Sequence, residues 1–441
     1  MNTNIMRQNG KQIYRLSRSS KRISLFIILY SSGIAGVYAQ SSIFNKFFHV
    51  EKHDTVHSVS HAPTVVVLGD SHVQGGYFTK AFRDRLSSLY PIAGFGWVSP
   101  HRISGRSEPD DYKILPSHKG WSGSLITRTA SMGATGPGGM LVSPPTGDIA
   151  LTVKSPTCSF DQILIYRTYD VSPLKAMHNV KSFRSGRSLS ISPFVVDTLT
   201  FRSKQNSILL ENSDPNFNVL SGQSGYAGFD LVNTTAPFPY IKFHSIGLDG
   251  ASYDTYSKIS YTKSLSLLSP DILFICLGSN ESHGARFNKA AFKDSADMLI
   301  RMIREQMPDV KIILCGPPPA FITSKVSVKV KKKARRRYNY VKMLNPHPLL
   351  ATQALQEVAR RYRDCEVVDL YTAMGGVEGA QSLLSRGDIR RDGVHYSVTG
   401  YKRMGNALYD EVTAKSSFMR WLKAIELKGS APQQSVVKSP Q

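Results

Sequence analysis

The chain is short of acid. Its 441 residues hold 32 aspartates and glutamates against 55 lysines and arginines, a formal net charge of +23 at pH 7. Cysteine is scarce too. Cys158, Cys276, Cys315 and Cys365 are the only four. They form no CxxC pair and show no metal-ligand spacing, which speaks against a cysteine-built metal centre; spacing assigns no disulfide. Cys276 and Cys315 fall in expected buried strands, where a thiol serves as a small apolar group. Beyond Val37 no segment is apolar for the roughly 20 residues a bilayer span needs. Internal repeats are also missing. What remains is ordinary for a folded protein: 41% hydrophobic and 20% charged residues, with length for a sizeable core and two domains.

The first 39 residues read as an export signal. Arg7, Lys11, Arg15, Arg18, Lys21 and Arg22 come with no acid among them. An apolar run, Ile23 to Val37, follows. Val37-Tyr38-Ala39 then offers small residues three before and one before a cut after Ala39. The alternative is an uncleaved membrane anchor, for which the apolar run is short. A periplasmic or secreted location is expected. Without those six bases the formal charge is still +17, from +23. A basic exported protein meets anionic cell-wall polymers, acidic glycans or lipid head groups. No nucleic-acid partner is expected there, and a monomer is expected.

Residues 40–62 are polar and aromatic, a linker. Thr64-Val65-Val66-Val67-Leu68 is a buried strand that runs into Gly69-Asp70-Ser71. A helical pattern follows through Phe78, Ala81, Phe82, Leu86 and Leu89. From about Gly94 the character changes. Short apolar or alternating runs separated by Gly, Pro and Ser clusters predict strands at Ile149–Val153, Gln162–Tyr169, Phe194–Arg202, Ser207–Glu211, Gly228–Val232 and Tyr240–Ile246, the pattern of a β-sandwich. The α/β pattern then resumes: helix Tyr253–Leu267, strand Asp271–Leu277, helix Asn288–Gln306, strand Lys311–Cys315, helix Pro348–Arg363, strand Glu366–Leu370 and helix Val398–Lys415. Strands alternating with helices predict a parallel sheet covered on both faces. The expected organisation is an α/β domain over 63–93 and 246–427, an inserted β-sandwich over 94–245, and a disordered tail over 428–441.

Ser71 is a candidate nucleophile. It sits on a strand-to-helix turn, where open α/β sheets place ligands. A serine hydroxyl needs a base and the base needs an orienting group. Asp392 and His395, three apart before the closing helix, can supply both; a surface loop with Ser397 or Thr399 as helix cap is the alternative. Asn280, after a strand end, can aim its side-chain N–H2 at a developing oxyanion, or merely cap a helix. Gly250 can present a backbone N–H without a side chain in the way, or be an ordinary turn glycine. The Ser71 N–H would be the third oxyanion donor.

Taken together, Gly69-Asp70-Ser71, Gly250, Gly278-Ser279-Asn280 and Asp392-Gly393-Val394-His395, in that order, resemble the four blocks of the SGNH/GDSL hydrolases. The resemblance covers Pro63 to about Tyr90 and Ile246 to about Lys415. It implies a flavodoxin-like three-layer fold, nucleophile Ser71, base His395 with orienter Asp392, oxyanion donors Ser71, Gly250 and Asn280, and no metal or cofactor. Two departures stand out: Glu281 replaces the aspartate common after the third-block asparagine, and the gap from Ser71 to Gly250 is long. That gap, with Gly69-Asp70-Ser71-His72-Val73-Gln74-Gly75-Gly76, Gly94-Phe95-Gly96-Trp97, Ile246-Gly247-Leu248-Asp249-Gly250-Ala251-Ser252, and Asp369-Leu370 before Ala373-Met374-Gly375-Gly376, is similar to bacterial peptidoglycan O-acetylesterases. In these a carbohydrate-binding-like β-domain lies between the first two blocks.

The resemblance therefore implies an exported serine esterase that removes O-acetyl groups from a glycan, peptidoglycan foremost. The alternatives are an O-acetyltransferase, an acetyl esterase on another polysaccharide, and a non-catalytic glycan-binding surface protein. His72 and His283 are expected on the surface, with lining of the pocket as the alternative, and Trp97, Trp121 and Trp421 in cores, with stacking of an exposed insert Trp on sugar rings as the alternative. The basic run Lys325–Arg337 reads as a solvated, mobile segment, with attraction to an anionic cell wall or membrane surface as its functional alternative.

Overall fold

The structure is a computed structural model that describes residues 62–117, 119–128, 135–145, 149–155, 157–186, 193–212, 224–283, 286–328 and 337–429. The expected signal, nearly all of the linker, the tail beyond Gly429 and residues 329–336 of the basic run lie outside the described residues.

In chain order, β1 (Thr64–Gly69) leads into α1 (Ser71–Gln74) and α2 (Tyr77–Leu86). Ten strands follow, with no helix among the described residues between them: β2 (Gly96–Val98), β3 (Lys113–Pro116), β4 (Ser122–Leu125), β5 (Met140–Ser143), β6 (Ile149–Lys154), β7 (Phe160–Thr168), β8 (Val180–Arg184), β9 (Phe194–Gln205), β10 (Ser207–Asn212) and β11 (Tyr226–Val232). Then come β12 (Lys242–Gly247), α3 (Tyr253–Tyr256), α4 (Ile259–Ser266), β13 (Ile272–Cys276), α5 (Ser279–Ser282), α6 (Lys289–Gln306) and β14 (Lys311–Cys315). The chain closes with β15 (Phe321–Val328), β16 (Arg337–Leu344), α7 (His347–Ala359), β17 (Cys365–Val368), α8 (Leu370–Ala373), α9 (Gly376–Ser385), α10 (Val398–Ala414) and α11 (Ser416–Gly429).

The parallel sheet has the order β12-β1-β13-β14-β17. Numbered along this sheet alone, that is 2-1-3-4-5, a doubly wound order whose direction reverses between β1 and β13. Every residue of β1 is buried. Its side chains alternate between two cores. Val66 and Leu68 join Leu273, Ile275, Ile312 and Leu314 under α6 and α7. Val65 and Val67 join Ile272, Phe274 and Ile313 under α2 and α10. Each fully buried Val or Leu contributes about 1.5–3 kcal/mol, so this short strand is held hard from both sides.

The insert lies within the first crossover, between α2 and β12. Its smaller antiparallel sheet runs β10-β6-β3, and its larger one β4-β5-β11-β7-β9-β8 with β2 on β11. Ile114, Leu151, Val153 and Leu210 of the first pack with Ile163, Ile165, Leu199 and Phe229 of the second, so the expected sandwich is present. A buried ion pair braces the larger sheet. Arg167 Nε lies 2.6 Å from Asp197 Oδ2 and its Nη2 3.1 Å from Oδ1. The Val171 carbonyl accepts from Arg167 Nη1, and the Ser185 hydroxyl and Gly186 N–H donate to Asp197. Such a pair survives burial only when its remaining groups are partnered in this way.

Insert and α/β part share one core. Trp97, Met140, Tyr166 and Ala227 cluster with Tyr253, Tyr256 and Tyr261. The Trp97 ring meets Tyr166 edge-on at 5.0 Å, and its indole N–H donates to Ser99 Oγ at 2.6 Å. The Tyr261 hydroxyl donates to the Pro137 carbonyl and Lys258 Nζ to that of Ile126.

Several boundaries move. The strand expected to end the insert, Tyr240–Ile246, is β12 of the parallel sheet, so the insert stops before Lys242 rather than at 245. Most of β12 is buried although it stands at the sheet edge, and its composition does not distinguish it from a sandwich strand. The helix expected over Tyr253–Leu267 breaks into α3 and α4, where Ser257 leaves helical geometry. Of the basic run, Lys325 to Val328 and Arg337 lie in a hairpin, β15 paired antiparallel with β16, and residues 329–336 lie outside the described residues. The helix α11 extends to Gly429, just past the expected start of the tail. All four cysteines are free, with Cys276 and Cys315 buried side by side in β13 and β14.

Truncating Trp97 to alanine removes a large side chain from the shared core, with a cost of about 3–5 kcal/mol. Urea unfolding followed by far-UV and near-UV signals should show one earlier transition for the whole chain. Two separated transitions would mean that the insert and the α/β part do not share their stability.

Candidate active site

The site begins where β1 ends. A Cβ on Gly69 would meet Val73 Cγ2 at 2.4 Å and the Cys276 carbonyl at 2.7 Å, so only glycine fits between β1 and β13. Asp70 caps α1: its Oδ1 accepts from the His72 N–H at 3.0 Å. Ser71 thus enters the first turn of α1 at the carboxyl end of the central strand. Burial pushes the Asp70 carboxyl up to about 7, and the neighbouring Glu281 charge adds to this. The His72 N–H and the nearby Ser279 side chain oppose the shift.

The closing loop supplies the partner. His395 Nε2 lies 3.0 Å from Ser71 Oγ, across 324 residues of chain. His395 Nδ1 lies 3.1 Å from Asp392 Oδ2. The other Asp392 oxygen accepts the backbone N–H groups of Val394 at 2.8 Å and His395 at 2.9 Å, an Asx turn that presets the carboxylate. Partial burial raises the Asp392 pKa, but those two N–H groups and the imidazole hold it below the usual carboxylate value. An ionised carboxylate only accepts. The proton therefore sits on Nδ1, and Nε2 is left to accept from the Ser71 hydroxyl. Gly393 takes φ +84°, and a Cβ there would strike the Phe321 carbonyl at 2.5 Å. Ser397 caps α10 through Gly400 N–H at 3.2 Å. The capping role and the Asp-His pairing coexist in one loop.

Gly250 and Asn280 follow β12 and β13, the two strands that flank β1. Gly250 is exposed, with φ +77° and open space where a Cβ would stand. One Asn280 amide N–H donates to the Ala251 carbonyl at 2.8 Å; its second remains a donor. Glu281, the unexpected residue of this block, accepts the Tyr253 N–H at 2.8 Å. Asn280 and Glu281 together tie the Gly250 loop to the end of β13. The insert reaches the same loop, since Arg106 pairs with Asp249 at 3.1 Å.

His72 corrects an expectation. It is buried rather than on the surface, because α1 turns it inward, under the closing loop. Its Nδ1 lies 3.1 Å from the Tyr401 hydroxyl, and its ring centroid lies 5.6 Å from that of His395. Burial lowers its pKa to about 3, with the charge on His395 adding to the shift and Asp392 opposing it. No local pattern marks such a role, which depends on contact with Tyr401 far along the chain. His283 is exposed, as expected. Trp97 is buried in the core, as expected, while Trp121 and Trp421 are only partly buried.

Residues 217–403 match the sequence model of the GDSL-like lipase/acylhydrolase family. The match spans Gly250, Asn280, Asp392 and His395 but not Ser71, as it would for a domain whose first strand is separated by an insert. Among solved structures, a peptidoglycan O-acetylesterase is similar at 18% identity and TM-score 0.58, over 83% of this chain and 93% of that one. At that identity the likeness is one of fold, insert included. A putative platelet activating factor from Streptococcus pneumonia (19% identity, 39% of this chain and 73% of that one, TM-score 0.29) and a lipase/acylhydrolase from Enterococcus faecalis (21%, 40% and 77%, TM-score 0.28) match smaller parts. No curated protein sequence matches significantly.

The Asp70 shift sets a pH dependence. A carboxyl raised from 3.8 to about 7 binds its proton more tightly in the folded chain. Its contribution is full below pH 3.8 and is lost as pH rises through 7. Asp70→Asn keeps an acceptor for the His72 N–H but cannot ionise. Between pH 4 and 7 its stability relative to the native chain should therefore grow by roughly 1.4 kcal/mol per pH unit. Denaturation midpoints across that window check this; a pH-independent difference would contradict it.

Proposed function

We propose that this chain, whose residues 217–403 match the GDSL-like lipase/acylhydrolase family, is an exported serine esterase, a carboxylic ester hydrolase that removes O-acetyl groups from peptidoglycan. The observation that carries the catalytic part is the linked pair of contacts, Ser71 Oγ to His395 Nε2 at 3.0 Å and His395 Nδ1 to Asp392 Oδ2 at 3.1 Å. Ser71 attacks the acetyl carbonyl while its proton passes to His395 Nε2. Asp392 holds the imidazolium that forms and keeps the proton-bearing tautomer in place. The Ser71 and Gly250 N–H groups and the Asn280 amide stabilise the oxyanion. His395 then gives its proton to the departing sugar oxygen. Water, activated by the same imidazole, attacks the acetyl-serine ester and releases acetate.

Side-chain exposures of 36% for His395 and 48% for Asp392 leave the acyl-enzyme open to water, which favours hydrolysis over transfer to a second glycan. Three features support the substrate. The N-terminal sequence reads as an export signal, which suits a substrate outside the cytoplasm. The excess of base suits an anionic polymer. The similar structure that matches along nearly its whole length is named as a peptidoglycan O-acetylesterase.

Ser71→Ala should abolish acetate release, and Asn280→Ala should lower kcat by about 10²–10³, with circular dichroism unchanged in both. Acetate release from O-acetylated peptidoglycan should exceed that from acetylated xylan. Turnover retained by Ser71→Ala would remove the mechanism, and a preference for xylan would remove the substrate.

A further inference from the structure

The β15–β16 hairpin grows out of the site itself. Its base is fixed to the closing loop: the Phe321 N–H donates to the Gly393 carbonyl at 2.7 Å, and the Tyr396 hydroxyl donates to the Pro319 carbonyl at 2.6 Å. A Cβ on Gly393 would lie 3.1 Å from the Lys342 ammonium and 3.1 Å from Phe321 Cβ. Phe321 and Lys342 therefore share the hairpin face that abuts the Asp392-Gly393-Val394-His395 loop.

Register extends that face outward. Thr323 is opposite Lys342, and Lys325 is opposite Tyr340. Residues two apart on a strand point the same way, so Phe321, Thr323 and Lys325 line up with Lys342 and Tyr340. The Lys342 ammonium is steadied by a 2.9 Å hydrogen bond to Thr323 Oγ1. Tyr340 stands about 7 Å farther along the strand and is 71% exposed. Val341 and Met343, also exposed, occupy the opposite face. The side next to the catalytic loop thus combines a flat aromatic ring with ammonium groups, and the apolar pair points elsewhere.

We propose that this face is a substrate-binding arm that lays an anionic glycan strand across the catalytic loop, with Tyr340 stacked on a sugar ring and Lys325 and Lys342 meeting its carboxylates. An amphipathic ring suits the apolar face of a pyranose with its hydroxyl end in water, and the ammonium groups supply charge complementarity that salt weakens. The arm's position makes it a specificity element for polymer over small ester. It rests on the esterase reading only for what the bound strand then undergoes.

Co-sedimentation of the full chain carrying Ser71→Ala with insoluble O-acetylated peptidoglycan tests the arm apart from turnover. Adding Tyr340→Ala or Lys342→Gln should weaken binding by roughly fivefold to tenfold, while Tyr340→Phe stays near the parent. Amidating the free carboxylates of the polymer should weaken the parent and erase the effect of Lys342→Gln. In the active chain, Tyr340→Ala should lower kcat/KM on the polymer through KM and reduce its ratio to that on 4-nitrophenyl acetate. Unchanged binding by Tyr340→Ala and Lys342→Gln overturns the arm. So does an effect of these variants confined to vesicles of phosphatidylglycerol. A native chain that binds the polymer through Tyr340 but releases no acetate overturns the esterase reading and leaves the arm standing.

Discussion

Everything in this molecule converges on a 3.0 Å contact between atoms 324 residues apart, Ser71 Oγ and His395 Nε2. Such a contact cannot be local. It requires the first strand and the last loop to be held rigidly relative to one another. The parallel sheet provides this: β1 is its central strand, buried on both faces, and α10 packs against α2 beneath it. The turn at Gly69 and the turn at Gly393 are both too tight for a side chain. Ser71 and His395 therefore leave their elements in fixed directions, and little entropy is left to lose when substrate arrives.

The insert adds to this frame without entering the sheet. It occupies the first crossover, a place where long insertions cost little because loop-closure entropy grows slowly with length. Yet it is not a loosely tethered module. Trp97, Tyr166 and Ala227 share a core with Tyr253, Tyr256 and Tyr261, and Arg106 touches the Gly250 loop through Asp249. The loops after β12 and β13 are in turn tied together by Asn280 and Glu281. The Glu281 carboxylate does this by accepting a helix-start N–H, a role that its length as well as its charge permits.

Much of the α/β frame was legible in the sequence, because buried strands and amphipathic helices each carry a period. Ser71, Asp392 and His395 could be proposed because their blocks sit beside those elements, and the structure brings the three together. The misreadings share a cause. The run Tyr240–Ile246 reads as a sandwich strand because parallel pairing with β1 leaves no mark on its own composition. His72 was placed at the surface because its burial depends on Tyr401 and Tyr396, contributed by the far end of the chain. The β15–β16 hairpin is hidden in the sequence by the charge beside it, since a lysine and arginine run reads as solvated coil; residues 329–336, which carry most of that charge, lie outside the described residues.

The most direct measurement is the acylation state of Ser71 during turnover. Rapid acid quenching of the chain with an activated acetyl ester, followed by peptide mass spectrometry, should find a transient acetyl group on Ser71 that is absent in His395→Ala. An acetyl group on another residue, or rapid turnover with Ser71 never modified, would contradict the nucleophile and with it the mechanism.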